Sequence, residues 1–187
     1  MRSKLLTVGV LGIAVALLMA TTSCKLSKDQ IKEIARNVGL FSATTWIAID
    51  NPPQEVLALT TNLLVVVKEK ASLVKAGETY VAVVYPELVK IIDASSMLPQ
   101  YKPLCKAGAV TLLGQLDLLF VAHPEWKQDQ DLAIDVANSF IDGAIQGLSM
   151  AETTAIMKQL RLNYDNRSKV VSETTGFDLK KLFQKSK

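Results

Sequence analysis

Between residues 103 and 122 the chain reads PLCKAGAVTLLGQLDLLFVA, and Lys106 and Asp117 are the two charged positions in it. A run this apolar, opened by a proline, predicts a helix from Pro103 that buries Val110, Leu112, Leu113, Leu116, Leu118, Leu119 and Phe120 on nearly every side. That is the profile of a central helix. Ala107, Gly108, Ala109 and Gly114 are small enough to let a second helix come close. Asp117 and the glycines break a stretch of barely spanning length, which argues against a membrane crossing.

The segments that follow are helical as well. His123-Pro124-Glu125-Trp126 marks a corner, because a proline disfavours helix in the residue before it. From about Asp129, Leu132, Ala133, Val136, Phe140, Ile141, Ala144, Ile145 and Leu148 repeat at helical spacing, with Asp131, Asp135, Asn138, Asp142 and Gln146 on the polar side. Gly147 weakens the last turn. Ser149 and Glu152 then have the spacing of a capping box for a further helix through Ile156, Met157, Leu160 and Leu162, ending between Asn163 and Arg167. Ser168 to Thr175 reads as loop or extended chain. Gly176 to Gln184 reads as a short last helix at a weakly ordered C-terminal end.

Upstream, Ser27 and Gln30 make a capping box, and Ile31, Ile34, Ala35 and Val38 follow at helical spacing. One long helix is expected from there to Asp50, bent at Gly39. Asn51-Pro52-Pro53 ends it, with Asn51 as cap and Pro52 as first residue of a second helix running to about Lys75. Thr79 to Asp93 has two readings. TYVAVVY has strand propensity, whereas Leu88, Val89, Ile91 and Ile92 keep helical spacing. A lone strand leaves its edges unpaired, so a helix kinked at Pro86 is preferred. The expected fold is all-α, an irregular bundle of about five to seven helices.

The first 24 residues are of another kind. MRSKLLTVGVLGIAVALLMATTSC begins with Arg2 and Lys4, continues as an apolar and small-residue run from Leu5 to Ala20, and ends at Cys24. This is the layout of an export signal. Leu5 to Ala20 is shorter than the roughly 20 residues a spanning helix needs. With Thr21 to Ser23 added it becomes a marginal span, so an uncleaved anchor is the rival reading. A cysteine at the exit of the apolar run favours cleavage.

The placement of Cys24 resembles the lipobox of bacterial lipoproteins, with Thr21 where leucine is usual and Ser23 in the last small-residue slot. The resemblance covers the N-terminal segment alone. It implies cleavage before Cys24, a covalent lipid such as palmitate on that cysteine, and a location in the cell envelope. Lys25 in place of aspartate after the cysteine resembles the sorting pattern of enterobacterial lipoproteins bound for the outer membrane. Residues 1–23 are then a signal peptide. Residues 24–187 are then a single helical, extracytoplasmic domain on a short lipid tether, with periplasm as the compartment the resemblance implies.

Composition agrees with one exported, folded body. The chain is 49% hydrophobic over 187 residues, which supplies a core and excludes general disorder. Removing Arg2 and Lys4 lowers the formal net charge from +3 to +1, too little to imply an anionic partner. With Cys24 lipidated, Cys105 has no intrachain partner and is expected as a buried thiol.

Chemistry is sparse in the pattern. His123 is the one histidine. It reads as a helix C-terminal residue complementing the dipole, with a hydrolase base as the alternative. No HExxH, CxxC, GxGxxG or GxxxxGK occurs, so no metal site or nucleotide cofactor is expected. Asp129, Asp131, Asp135 and Asp142 lack the glycine-turned loop of an EF-hand and read as a solvated helix face. Trp46, Trp126, Tyr80, Tyr85 and Tyr101 lie near element ends. They read as closing the ends of a bundle, with the rim of an interaction or ligand groove as the functional alternative. The basic tail of Lys180, Lys181, Lys185 and Lys187 lacks the pattern for nucleic-acid binding. The expected function is therefore non-catalytic: a lipid-anchored accessory or protein-interaction module for an unknown envelope protein. A helical module for a small molecule or lipid is the second reading, and a hydrolase using His123 the third.

Overall fold

The structure, a computed structural model, describes residues 26–75 and 77–175. Those residues form an irregular all-α bundle of six helices and no strand: α1 (Lys28–Asp50), α2 (Gln54–Lys70), α3 (Tyr80–Val83), α4 (Tyr85–Ala94), α5 (Lys102–Ala122) and α6 (Gln130–Thr175). Short 3-10 turns cover Ala71–Leu73, Pro99–Tyr101 and Pro124–Lys127. Along its length the chain divides into two compact units, the first ending at Ala151 and the second beginning at Glu152. The packing and side-chain contacts described below belong to the first unit.

The central helix is where the sequence puts it. α5 packs against α1, α2, α3 and α4. It buries Cys105, Gly108, Ala109, Leu112, Leu113, Leu116, Leu119 and Phe120. It is not enclosed all round, because Ala107, Leu118 and Val121 are exposed on its remaining face.

Three contacts set the helix directions. The Trp46 indole near the end of α1 lies against Gly108 near the start of α5. Thr60 Oγ1 in α2 is 3.5 Å from Cys105 Sγ, also early in α5. Tyr80 at the start of α3 stacks on Phe120 at the end of α5, with centroids 5.9 Å apart. So α1 runs against α5, and α2 runs with it. Ion pairs to Lys28 and Lys32 from Asp129 and Asp135 make α6 parallel to α1. One end of the bundle therefore collects the starts of α1, α3 and α6 and the ends of α2 and α5.

Local signals explain most boundaries. Ser27 caps α1 with both halves of a capping box present. α1 passes Gly39 without interruption. Asn51 closes α1 rather than opening α2. It adopts the left-handed region (φ 43°, ψ 56°), and its N–H donates to Ile47 O. Asparagine tolerates that conformation better than most residues. Pro53, not Asn51, stands at the N-cap of α2. α2 also stops at Lys70, short of Lys75, and tightens into the 3-10 turn.

The segment from Thr79 to Asp93 is helical, and Pro86 splits it instead of kinking it. Thr79 Oγ1 accepts from Ala82 N at 3.1 Å to start α3. The chain restarts as α4 after Val84, with Pro86 in the first turn. The missing proline N–H has no intrahelical partner to lose there.

The expected stop near Gly147 and new cap at Ser149 do not occur. α6 continues through both, and through Ser168 to Thr175, where a loop is expected. Gly147 serves packing instead. The short helix expected over Gly176 to Gln184 lies outside the described residues.

Glycines set the α1–α6 seam. A Cβ built on Gly39 would overlap the Phe140 carbonyl oxygen and approach Ala144 N to 3.0 Å. One built on Gly143 would overlap the Arg36 carbonyl oxygen. One on Gly147 would lie 3.0 Å from Ala43 Cβ. Gly39 with Ala43, and Gly143 with Gly147, are each four residues apart on one helix face. The two backbones thus touch along two turns, a distance that side chains would hold open.

Candidate functional site

The five aromatic residues proposed as a groove rim do not converge. Trp46, Trp126 and Tyr80 are buried, and Tyr85 and Tyr101 are half-buried. Trp46 belongs to the end where α5 starts; Tyr80 and Trp126 belong to the opposite end. Each buried ring has a packing partner: Trp46 on Gly108, Tyr80 on Phe120, and Trp126 on the His123 ring at 3.9 Å between centroids. Trp46 keeps its indole Nε1 buried without a hydrogen-bond partner among the described residues. Trp46 and Tyr80 fill the interior because α5 offers a glycine and a flat aromatic face where they land, and Trp126 stacks on the histidine that caps α5.

His123 sits where the sequence puts it, as C-cap of α5, with its N–H donating to Leu119 O at 3.1 Å. Its ring is buried on Trp126, and Nδ1 lies 3.1 Å from Glu125 Oε1. The imidazole thus contacts a carboxylate and an indole. The hydrolase alternative gains no nucleophile from this arrangement.

Three of the four aspartates, Asp129, Asp135 and Asp142, face lysines. Asp129 accepts from Lys28 Nζ at 3.1 Å and from the backbone N–H groups of Asp131 and Leu132, capping α6. These backbone hydrogen bonds, Leu132's first, and Lys28 hold its carboxyl below the usual range. Asp142 takes Lys68 at 2.8 Å, and Asp135 lies 3.9 Å from Lys32. Among the described residues no three His, Cys, Asp or Glu side chains converge as metal ligands would.

The same seam opens outward as a polar cleft of about 540 Å³, lined by Lys32, Glu33 and Arg36 of α1 and by Ser139 and Asp142 of α6. Arg36 is held at its edge by Gln146 Oε1, 2.9 Å from Nη2. Both signs of charge face the space. The sequence signal for it is the pair of small-residue spacings, Gly39–Ala43 and Gly143–Gly147, which was legible only as weak helix positions.

Two polar groups are buried for structural reasons. Asp117, half-buried on α5, accepts from Tyr80 N at 2.7 Å and Val81 N at 3.0 Å, and so caps α3 from another helix. Burial raises its carboxyl above the usual range, against the pull of those hydrogen bonds and of Lys127. Burial and then the Asp117 charge push the Tyr80 hydroxyl upward too. Cys105 is a free, fully buried thiol, and burial pushes it up. Thr60 spends its proton on Val56 O at 2.7 Å, so the thiol is the donor in the Thr60–Cys105 contact.

Cys24 lies outside the described residues. What is described is the point where the chain leaves it: Leu26 packs on the core and Ser27 caps α1. Comparison of the chain with protein-family models, curated proteins and solved structures gave no match.

Proposed function

We propose that this chain is a non-catalytic, lipid-anchored protein of the bacterial cell envelope, attached through Cys24 and presenting its helical body to an envelope protein. One observation carries the reading: a basic start, a short apolar run and a cysteine at its exit, followed after two residues by the cap of a folded helical unit. Export gives the cysteine its lipid, and the folded unit gives the anchor something to hold at the membrane. The dispersal of His123 and the aspartates onto structural partners supports a role in presentation over one in catalysis. The Lys25 residue supports outer-membrane sorting within this reading.

Radiolabelled palmitate should enter the wild-type chain expressed in a bacterial host and not Cys24→Ser. Equal labelling of both would end the proposal. Pull-down from detergent-solubilised envelopes with the lipidated form, against the same variant, identifies the partner.

The cleft between α1 and α6 favours a second reading, a module for a small zwitterionic molecule. Arg36→Ala and Asp142→Ala should then each abolish thermal stabilisation by amino acids, the probe that matches the two charges. Absence of stabilisation in the wild type removes this reading.

A further inference from the structure

We infer that the end of the bundle carrying Leu73 and Val121 rests in the headgroup region of the phospholipid bilayer; this rests on the lipid attachment at Cys24. Three observations carry it. First, Lys25 and Leu26 alone separate Cys24 from the Ser27 cap, which limits the reach of the tether to about 10 Å. α1 spans 23 residues, about 35 Å. The cap end must therefore stay close to the anchored lipid, while Asn51 can stand a helix length away.

Second, the helix directions bring exposed apolar side chains to that same end. α5 runs against α1, so its last turn lies beside the start of α1, and Val121 there is 74% exposed. α2 runs with α5, so the 3-10 turn after it ends at the same level, and Leu73 is 53% exposed. Lys127 reaches from the turn after α5 to the Glu78 carbonyl, beyond the α2 end, with its Nζ 5.5 Å from the Phe120 ring centre. Lys28–Asp129 then joins this corner to the α1 cap.

Third, the exposed apolar groups have a use there that water does not give them. Large aliphatic side chains at a surface favour transfer to an acyl boundary. The occupant of this face is accordingly the lipid interface itself, positioned by the short tether.

The test uses the full chain, processed and lipidated in a bacterial host, then reconstituted into phosphatidylethanolamine–phosphatidylglycerol vesicles. An environment-sensitive dye is placed by Val121→Cys, Leu73→Cys or Asn51→Cys under native conditions, with the unsubstituted chain giving the Cys105 background. Flotation of the unsubstituted chain reads the anchor separately. Nitroxide lipids should quench dyes at 121 and 73 by about twofold or more over the dye at 51, as expected for side chains at the headgroup boundary. Flotation with equal quenching at all three positions overturns this inference and leaves the anchor standing. Failure of the unsubstituted chain to float overturns the anchor reading and this inference with it.

Discussion

Gly39 and Gly143 each meet the other helix's backbone: Gly39 faces the Phe140 carbonyl and Gly143 the Arg36 carbonyl, so α1 and α6 are locked from both sides. A methyl at either position has backbone, not a flexible side chain, in its way. Gly39→Ala and Gly143→Ala should each destabilise the fold by about 2–3 kcal/mol or more, the range of core overpacking. The double variant should cost less than the sum, because the first methyl already parts the helices. Urea unfolding of the four proteins measures both; full additivity would mean the two glycines act at separate contacts.

Asp117 supplies α3 with acceptors that its own loop lacks. Asp117→Ala leaves the Tyr80 and Val81 N–H groups without that partner at a half-buried site. A loss of about 2–3 kcal/mol is expected from unsatisfied donors. Hydrogen exchange should localise the effect to residues 80–84. Unchanged protection there would show that Thr79 alone suffices as cap.

The two shifted aspartates should act on acid stability in opposite senses. Asp129 has a depressed carboxyl in the folded state, so its contribution is present above the unfolded carboxylate range and is lost as pH falls through the folded value. Asp117 has a raised carboxyl. Between the unfolded and folded values the folded chain holds a proton that the unfolded chain has released, so its contribution falls as pH rises through that window. Asp129→Asn should therefore flatten the loss of stability from pH 6 to pH 3 measured by urea titration, and Asp117→Asn should steepen it. Identical slopes in the two variants would contradict the assignment.

Cys105 should be chemically silent while the fold holds. Burial keeps it a protonated thiol, against the smaller opposing pull of the Thr60 contact. Aromatic disulfide reagents should modify it at the rate of unfolding and stoichiometrically in denaturant. Rapid native labelling would show that α2 and α5 separate readily.

Asn51 holds the left-handed turn between α1 and α2. Asn51→Gly should leave thermal stability nearly unchanged. Asn51→Val should cost about 1–2 kcal/mol, the penalty of a side-chain-bearing residue in that region. Equal melting temperatures would mean the turn can be rebuilt in another conformation.

The amino-acid pattern by itself determined the helical class, the burial of α5 and the cap at Ser27, because these follow from local spacing and from a side chain that reaches its own backbone. It also carries the lipobox-like pattern at Cys24 on which the proposed anchor rests, and that pattern is read along the chain and needs no fold. Tertiary structure decided what Gly39, Gly143 and Gly147 do: a glycine looks like a weak helix position until the partner backbone is placed against it. Tertiary structure likewise decided that α6 runs on past Ser149, that Asn51 ends one helix rather than starting the next, and that Trp46, Tyr80 and Trp126 are packed inside. Leu73 and Val121 share one end of the bundle for the same reason: that placement comes from the directions of α2 and α5, and long-range packing sets those directions, not any property of the residues nearby.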